Sequence, residues 1–206
     1  EYIYSDLQVF TDHNYVFMWK DSFRRSFDLT LPESSKIQSK ASVLDALADM
    51  DQAKIVVTYP EALVEKIIQQ DTFQKSKLTF KIGEEVDLDF LIEVLNEYSF
   101  FREDFVYEPG QFSIRGGIID LFSYASDLPV RLELDGRTIE SIREFDPISQ
   151  LSTRKLVRAT VVPNIQDGAT EEGSADIYDY LGQSPIVCTF DLPYAFAKLE
   201  KGWQKA

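Results

Sequence analysis

The sequence is short of cysteine, histidine and positive charge, and it holds no long apolar run; each shortage removes a class of function. Its one cysteine, Cys188, rules out an intramolecular disulfide and fits a reducing, cytoplasmic setting. It lies in Ile186-Val187-Cys188-Thr189-Phe190, an apolar strand pattern that predicts a small buried core side chain rather than a reactive thiol. The one histidine, His13, stands between Thr11-Asp12 and Asn14, a turn context that reads as surface. A lone His and a lone Cys far apart in sequence argue against a zinc site. No stretch approaches the ~18 apolar residues of a membrane span. Glu1-Tyr2-Ile3-Tyr4-Ser5-Asp6 has neither the basic nor the apolar region of a signal peptide, so no membrane partner is expected.

The phosphate-binding loop G-x-x-x-x-G-K-[ST] is missing as well. The one pair of adjacent glycines, Gly116-Gly117, is not followed by Lys-Ser or Lys-Thr. Carboxylate pairs such as Glu84-Glu85, Glu103-Asp104 and Glu171-Glu172 lie in polar stretches and read as solvated surface. No catalytic, cofactor-binding or metal-binding residue is therefore expected in this chain. With 21 basic and 35 acidic residues the net charge is -14, which argues against strong autonomous binding to DNA, where phosphate neutralisation supplies most of the affinity. The deficit is uneven. Residues 111–158 hold seven basic and seven acidic residues, leaving 14 basic and 28 acidic residues to the rest. An acidic frame around a balanced segment suggests a protein partner for that segment.

What the sequence does contain is α/β patterning with an antiparallel interlude. Tyr4 to Phe10 has amphipathic helical spacing, and Tyr15 to Trp19 reads as a buried strand. Ser22 to Ser39 is polar and reads as a loop, followed by helical spacing over Ala41 to Ala48. Lys54 to Thr58 is a β-branched run typical of a parallel strand, and Pro60 opens a helix expected to run through Ile68. Asp87 to Tyr98 has Leu88, Leu91, Ile92 and Leu95 on one stripe with Asp87 as its cap. From Phe101 to Val162 strands dominate, with Asp135-Gly136 as a type I′ hairpin signal between Val130–Leu134 and Thr138–Arg143. Glu171 to Ala175 reads as a polar loop, Ile177 to Leu181 is weak, Pro185 to Phe190 reads as a strand and Leu192 to Lys201 as a helix. The expected division is an α/β domain made of residues 1–83 and 155–206, with residues 84–154 inserted as an α+β antiparallel domain.

The densest signal is Pro109-Gly110-Gln111-Phe112-Ser113-Ile114-Arg115-Gly116-Gly117-Ile118-Ile119-Asp120-Leu121-Phe122. It reads as a hairpin in which Gly116-Gly117 reverses the chain. Leu128-Pro129-Val130-Arg131-Leu132-Glu133 and Ile142-Arg143-Glu144-Phe145-Asp146-Pro147-Ile148-Ser149-Gln150 follow at fixed spacing. Period two puts Arg115 and Arg131 on polar strand faces, opposite Phe112, Ile114, Val130 and Leu132. Such residues are often solvated arginines in weak cross-strand ion pairs. Asp120 reads either as a hairpin ion-pair partner or as part of the surface.

From about Asp104 to Thr153 these motifs resemble the UvrA-binding domain that, in bacterial nucleotide excision repair, is shared by UvrB and by Mfd, the transcription-repair coupling factor. The resemblance implies that Arg115 and Arg131 lie on the UvrA-binding face, with Ser113, Glu133 and Asp135 at its periphery and Gly116 and Gly117 shaping the turn. Two positions depart from the pattern: Asp135 stands where some members carry an aromatic, and Ser113 where the UvrB branch carries an arginine. The interval between Trp19 and Ala41 has no tyrosine, unlike the clamp hairpin of UvrB. Pro60-Glu61-Ala62-Leu63 also looks more like Mfd, so the chain resembles the N-terminal UvrB-homology module of that branch. The implied fold is a degenerate helicase-like α/β layer, P-loop-type without the P-loop, beginning inside a domain. The implied role is non-catalytic docking of UvrA at lesion-stalled RNA polymerase. An ATP- and Mg-dependent DNA translocase motor, and the contacts to RNA polymerase and DNA, would lie downstream. Downstream domains would also pack over the UvrA site. The alternative is a UvrB fragment whose upstream residues complete an ATP site.

Overall fold

A computed structural model describes residues 2–12, 15–20, 33–48, 53–164, 174–182 and 184–203. In chain order the elements are α1 (Tyr2–Phe10), β1 (Val16–Met18), α2 (Glu33–Ala48), β2 (Ile55–Val57), α3 (Pro60–Leu63), β3 (Ile67–Ile68), α4 (Gln70–Ser76), β4 (Leu78–Lys81) and α5 (Leu88–Glu97). Then come β5 (Phe101–Arg102), β6 (Gln111–Arg115), β7 (Ile118–Leu121), β8 (Val130–Asp135), β9 (Thr138–Phe145), β10 (Ser152–Leu156), β11 (Arg158–Val161), β12 (Ser174–Ala175), a 3-10 helix over Ile177–Tyr180, and α6 (Leu192–Trp203). The fold is mixed α/β with mostly antiparallel sheets. No helix among the described residues is long and apolar enough to cross a membrane.

The largest sheet has six strands in the order β10-β9-β8-β7-β6-β5, antiparallel except for the β5–β6 pair. One face is apolar: Phe112, Ile119, Leu121, Leu132, Ile139 and Ile142 are fully buried there. Helix α5 adds Leu91 and Leu95 to the same cluster, and Asp87 caps it by accepting a hydrogen bond from the Phe90 amide. Flanking this sheet are three two-stranded pairings: β1 parallel to β2, β3 antiparallel to β12, and β4 antiparallel to β11. Their core gathers Trp19, Leu44, Phe73 and Tyr180, continuous with the apolar face of the large sheet. Trp19 donates its indole N–H to the Ala62 carbonyl, so the ring is buried without an unsatisfied donor.

Several expectations change. Helix α2 starts at Glu33, so Glu33 to Ser39 is helical rather than loop, because Ile37, Lys40, Ala41 and Leu44 pack inward from one face. Residues 21–32, and with them the rest of that loop, lie outside the described residues, as does His13. The helix opened by Pro60 ends at Leu63 instead of Ile68: Ile67 and Ile68 are taken by pairing with Ala175 and Ser174. That makes Ser174-Ala175 a strand, not part of a loop. The strand signal that runs on to Val162 is interrupted at Val157, where the chain leaves β9 and joins β4. Pro185 to Phe190 is not a strand, and Cys188 is exposed rather than buried. An apolar run becomes a strand only where a neighbour offers a ladder, and this one pairs with none among the described residues. The β8–β9 turn takes its left-handed φ at Gly136 alone (+62°), with Arg137 second, the pattern of a type II′ rather than a type I′ turn.

Candidate interaction site

The second face of the six-stranded sheet carries the charged residues of the sequence signature. The pairing register lines them up in two rows. Ser113 stands opposite Asp120, Asp120 opposite Arg131, Arg131 opposite Arg143, and Arg143 opposite Lys155, so one row crosses five strands. The second row runs Arg115, Ile118, Glu133, Ser141. Like charges directly opposite each other across strands are destabilising, and here Arg131, Arg143 and Lys155 are consecutive.

Two carboxylates offset part of this repulsion. Asp120, whose side chain is 1% exposed, accepts from Arg131 Nε at 2.7 Å and Nη2 at 2.9 Å, a bidentate pairing. Its Oδ2 also accepts from Arg115 Nη2 at 2.7 Å, so the two arginines share one oxygen. Glu133 accepts from Arg143 Nη2 at 2.9 Å and from the Ser141 hydroxyl. The Asp120 bond, ahead of the nearby negative charge, holds the Arg131 pKa above its ordinary value.

Both arginines are more enclosed than strand alternation suggests. The side chain of Arg131 is 16% exposed and that of Arg115 34%. The loop after β5 and the turn after β9 fold over this face and bury a second small cluster, Val106, Phe122 and Phe145. Arg131 lies over the Phe145 ring at 4.4 Å and Arg115 over the Phe105 ring at 4.5 Å. Arg115 Nη1 also donates to the Asp104 carbonyl at 2.9 Å. Ser113, expected at the polar periphery, is buried under the same loop, and its hydroxyl donates to that carbonyl. Glu133 is half-buried within the cluster, and Asp135 is exposed at the hairpin end of β8. Arg131 supplies two of the three side-chain hydrogen bonds to buried Asp120, and Arg115 the third.

The turn works through its glycines. Gly116 alone takes the left-handed φ, at +60°. Gly117 is required by contact: a Cβ there would lie 2.9 Å from the Leu134 carbonyl oxygen. Sequence reasoning missed Arg143, Lys155, Gln150 and Phe105 as members of this face. The obstacle for Arg143 and Lys155 is a bulge: Leu134 pairs with Ile139 but Glu133 pairs with Ser141, leaving Glu140 extra. Counting back from the turn without that bulge sets Arg131 opposite Ile142. The signal was there as the odd spacing of Ile139 and Ile142, two apolar residues that share a face only across a bulge.

The Asp120 carboxylate shared by Arg115 and Arg131 lies within the span that a known family also covers. Residues 78–166, a little under half of the chain, match the model of the family described as the UvrB interaction domain. Across a wider span the chain is similar to proteins named transcription-repair-coupling factor. It is 35% identical to that of Bacillus subtilis over 112 residues, 54% of this chain and 10% of the relative. It is 31% identical to that of Myxococcus xanthus over 146 residues, 71% and 12%. For Staphylococcus aureus strain USA300 the identity is 30% over 170 residues, 82% and 14%. The aligned region thus covers about a tenth to a seventh of the length of these relatives.

Proposed function

We propose that this chain is a docking module of a transcription-repair coupling factor, a non-catalytic part that recruits UvrA to lesion-stalled RNA polymerase in nucleotide excision repair. The observation that carries this reading is the shared-oxygen cluster of Arg115, Asp120 and Arg131 on the face of a UvrB interaction domain. Arg115 is the more exposed member, with a single bond to Asp120. It can turn toward a carboxylate on UvrA while Asp120 keeps both bonds from Arg131, so no buried charge is stranded. Arg131 holds the centre, its guanidinium bound to Asp120 and Gln150, and Gly116 and Gly117 set the turn that places Arg115. Glu133 and Asp135 border the contact.

Within this reading residues 84–154 are the docking domain, inserted into a degenerate helicase-like layer of residues 1–83 and 155–206. The pairing pattern supports it: all six strands of the large sheet lie between residues 101 and 156, while β1, β2, β3, β4, β11 and β12 pair only among themselves. ATP and Mg chemistry, RNA polymerase and DNA belong to other parts of the longer protein, and its downstream domains cover the docking face until polymerase is engaged. The names of the relatives favour this over a fragment of UvrB.

Titration with purified UvrA tests it. Arg115→Ala is expected to weaken binding at least tenfold, about 1.4 kcal/mol, with the melting temperature nearly kept because Asp120 retains Arg131. Arg131→Lys, which keeps charge but loses the bidentate fork, is expected to weaken it by a similar factor. Unchanged affinity in both variants, or absence of UvrA binding by the parent chain, would overturn the proposal.

A further inference from the structure

The turn Asp146-Pro147-Ile148-Ser149-Gln150 is the part of the sequence signature that the charged cluster leaves unexplained. It exposes Ile148 (86%) at its tip and Leu151 (69%) beside it. A scattered exposed aliphatic residue is ordinary, but this one sits on a turn fixed from several sides. Asp146 Oδ1 accepts from the Ser149 amide and hydroxyl, both at 2.7 Å. The Gln150 amide donates to the Asp146 carbonyl at 2.8 Å, and the Asp146 amide to the Leu151 carbonyl at 2.9 Å. Gln150 holds φ at +60°, a region few residues other than glycine adopt. From there its Nε2 donates to the Pro147 and Val106 carbonyls, while its own carbonyl and Oε1 accept from Arg131. One side chain therefore ties the turn, the 104–108 loop and Arg131 together. The 104–108 loop carries a matching pair of exposed aromatics, Phe105 and Tyr107, with ring centroids 6.5 Å apart. The cationic centre thus lies between two apolar lips.

We infer that Phe105 and Tyr107 on one side, and Ile148 and Leu151 on the other, form the apolar half of the docking surface. They seat against apolar side chains that surround the acceptor carboxylates of UvrA; Gln150 is the positioning residue that sets the lips relative to Arg131. This rests on the docking reading above. Charge complementarity argues for the occupant. The two rows carry Arg115, Arg131, Arg143 and Lys155 against Asp120 and Glu133, an excess of two positive charges in a chain whose net charge is -14. An acidic patch is drawn to these two rows, whereas the chain as a whole is acidic. Apolar lips that exclude water strengthen each guanidinium–carboxylate bond formed between them.

The experiment titrates UvrA against the parent chain, Ile148→Ser, Leu151→Ser, Tyr107→Ser, the conservative Ile148→Leu, and Arg115→Ala, at low and high salt with melts alongside. Each serine variant is expected to weaken binding about fivefold or more, with an unchanged salt dependence and an unchanged melt. Ile148→Leu retains affinity, whereas Arg115→Ala loses both affinity and part of the salt dependence. Carbene footprinting of residues 104–108 and 146–151 is expected to fall when UvrA binds. Serine variants within twofold of the parent overturn the lips, as does unchanged labelling or a loss of binding that tracks a lowered melt. If Arg115→Ala still loses binding, the docking reading survives that result. No binding by the parent chain at all sinks the docking reading and the lips with it.

Discussion

The six-stranded sheet and the segments flanking it both hide apolar surface, but they do so with different completeness. In the sheet the apolar side chains of one face are buried or partly buried in one cluster, and the other face is tied down by ion pairs, two small loops and a second cluster. In the flanks, Val9 and Phe10 on α1 and Ile186, Val187, Phe190 and Phe196 near α6 stand in solvent. The cause is the range of the pairings. Strands β6 to β10 meet through short hairpins and turns, so each pair forms from neighbours. By contrast β1 needs β2, from Val16 to Ile55, and β3 needs β12, from Ile67 to Ala175, for ladders of two or three residues. Closing a long loop costs entropy before the ladder returns anything. Most of the sheet is assembled from sequence neighbours, whereas the flanks depend on distant contacts.

The largest test of this contrast removes one ion-pair anchor from each region. Asp120→Ala strands two arginines beneath the loops, and breaking a buried pair from one side costs about 3–5 kcal/mol. The comparable flank pair, Lys66 with Asp176 at 3.0 Å, is exposed on both sides. Lys66→Ala is expected to cost less than about 1 kcal/mol. Urea denaturation measures both, and equal losses would erase the distinction.

A second test compares apolar side chains. Leu132 is fully buried at the centre of the sheet, and Leu132→Ala is expected to cost about 2–5 kcal/mol. Ile186, 93% exposed in the flank, is expected to change stability by no more than about 0.5 kcal/mol when replaced by alanine. A large loss at Ile186 would mean that the flank is packed more firmly than its exposure indicates.

The same contrast explains what could be read from the sequence. The β6–β7 hairpin, the capped helix α5 and the parallel strand at Ile55 were legible because their signals are local: turn glycines, a cap with a 3.6-residue stripe, a β-branched run. Glu33 to Ser39 looked like a loop because its composition is polar, and only the packing of Ile37 and Lys40 makes it helical. The end of α3 at Leu63 depends on a partner strand more than a hundred residues away. At the candidate site Arg115 and Arg131 were legible from alternation, but their convergence on Asp120 was left open and Ser113 was placed on the wrong side of the cover. The β8–β9 bulge and the loop over Ser113 are tertiary facts with weak local signatures.

The smallest expected effect sharpens the comparison inside the sheet region itself, between its ladders and the turn that closes β9 onto β10. The Asp146 carboxyl is held below its ordinary value of 3.8 chiefly by the Ser149 amide and then by the Ser149 hydroxyl. A carboxylate whose pKa is lower in the folded chain adds stability above its unfolded pKa and loses it as pH falls through the folded value. The turn is therefore intact at neutral pH and down to about pH 4, and it loosens only below 3.8. The ladders of β6 to β9 contain no such exposed switch among their backbone bonds. Following the Ser149 amide resonance from about pH 7 to pH 2 should give a midpoint below 3.8 that is absent in Asp146→Asn, while the Ile119 and Leu132 amides stay unmoved over the first part of that range. A midpoint at or above 3.8, or loss of the Leu132 amide together with that of Ser149, would mean that the turn and the sheet open as one unit.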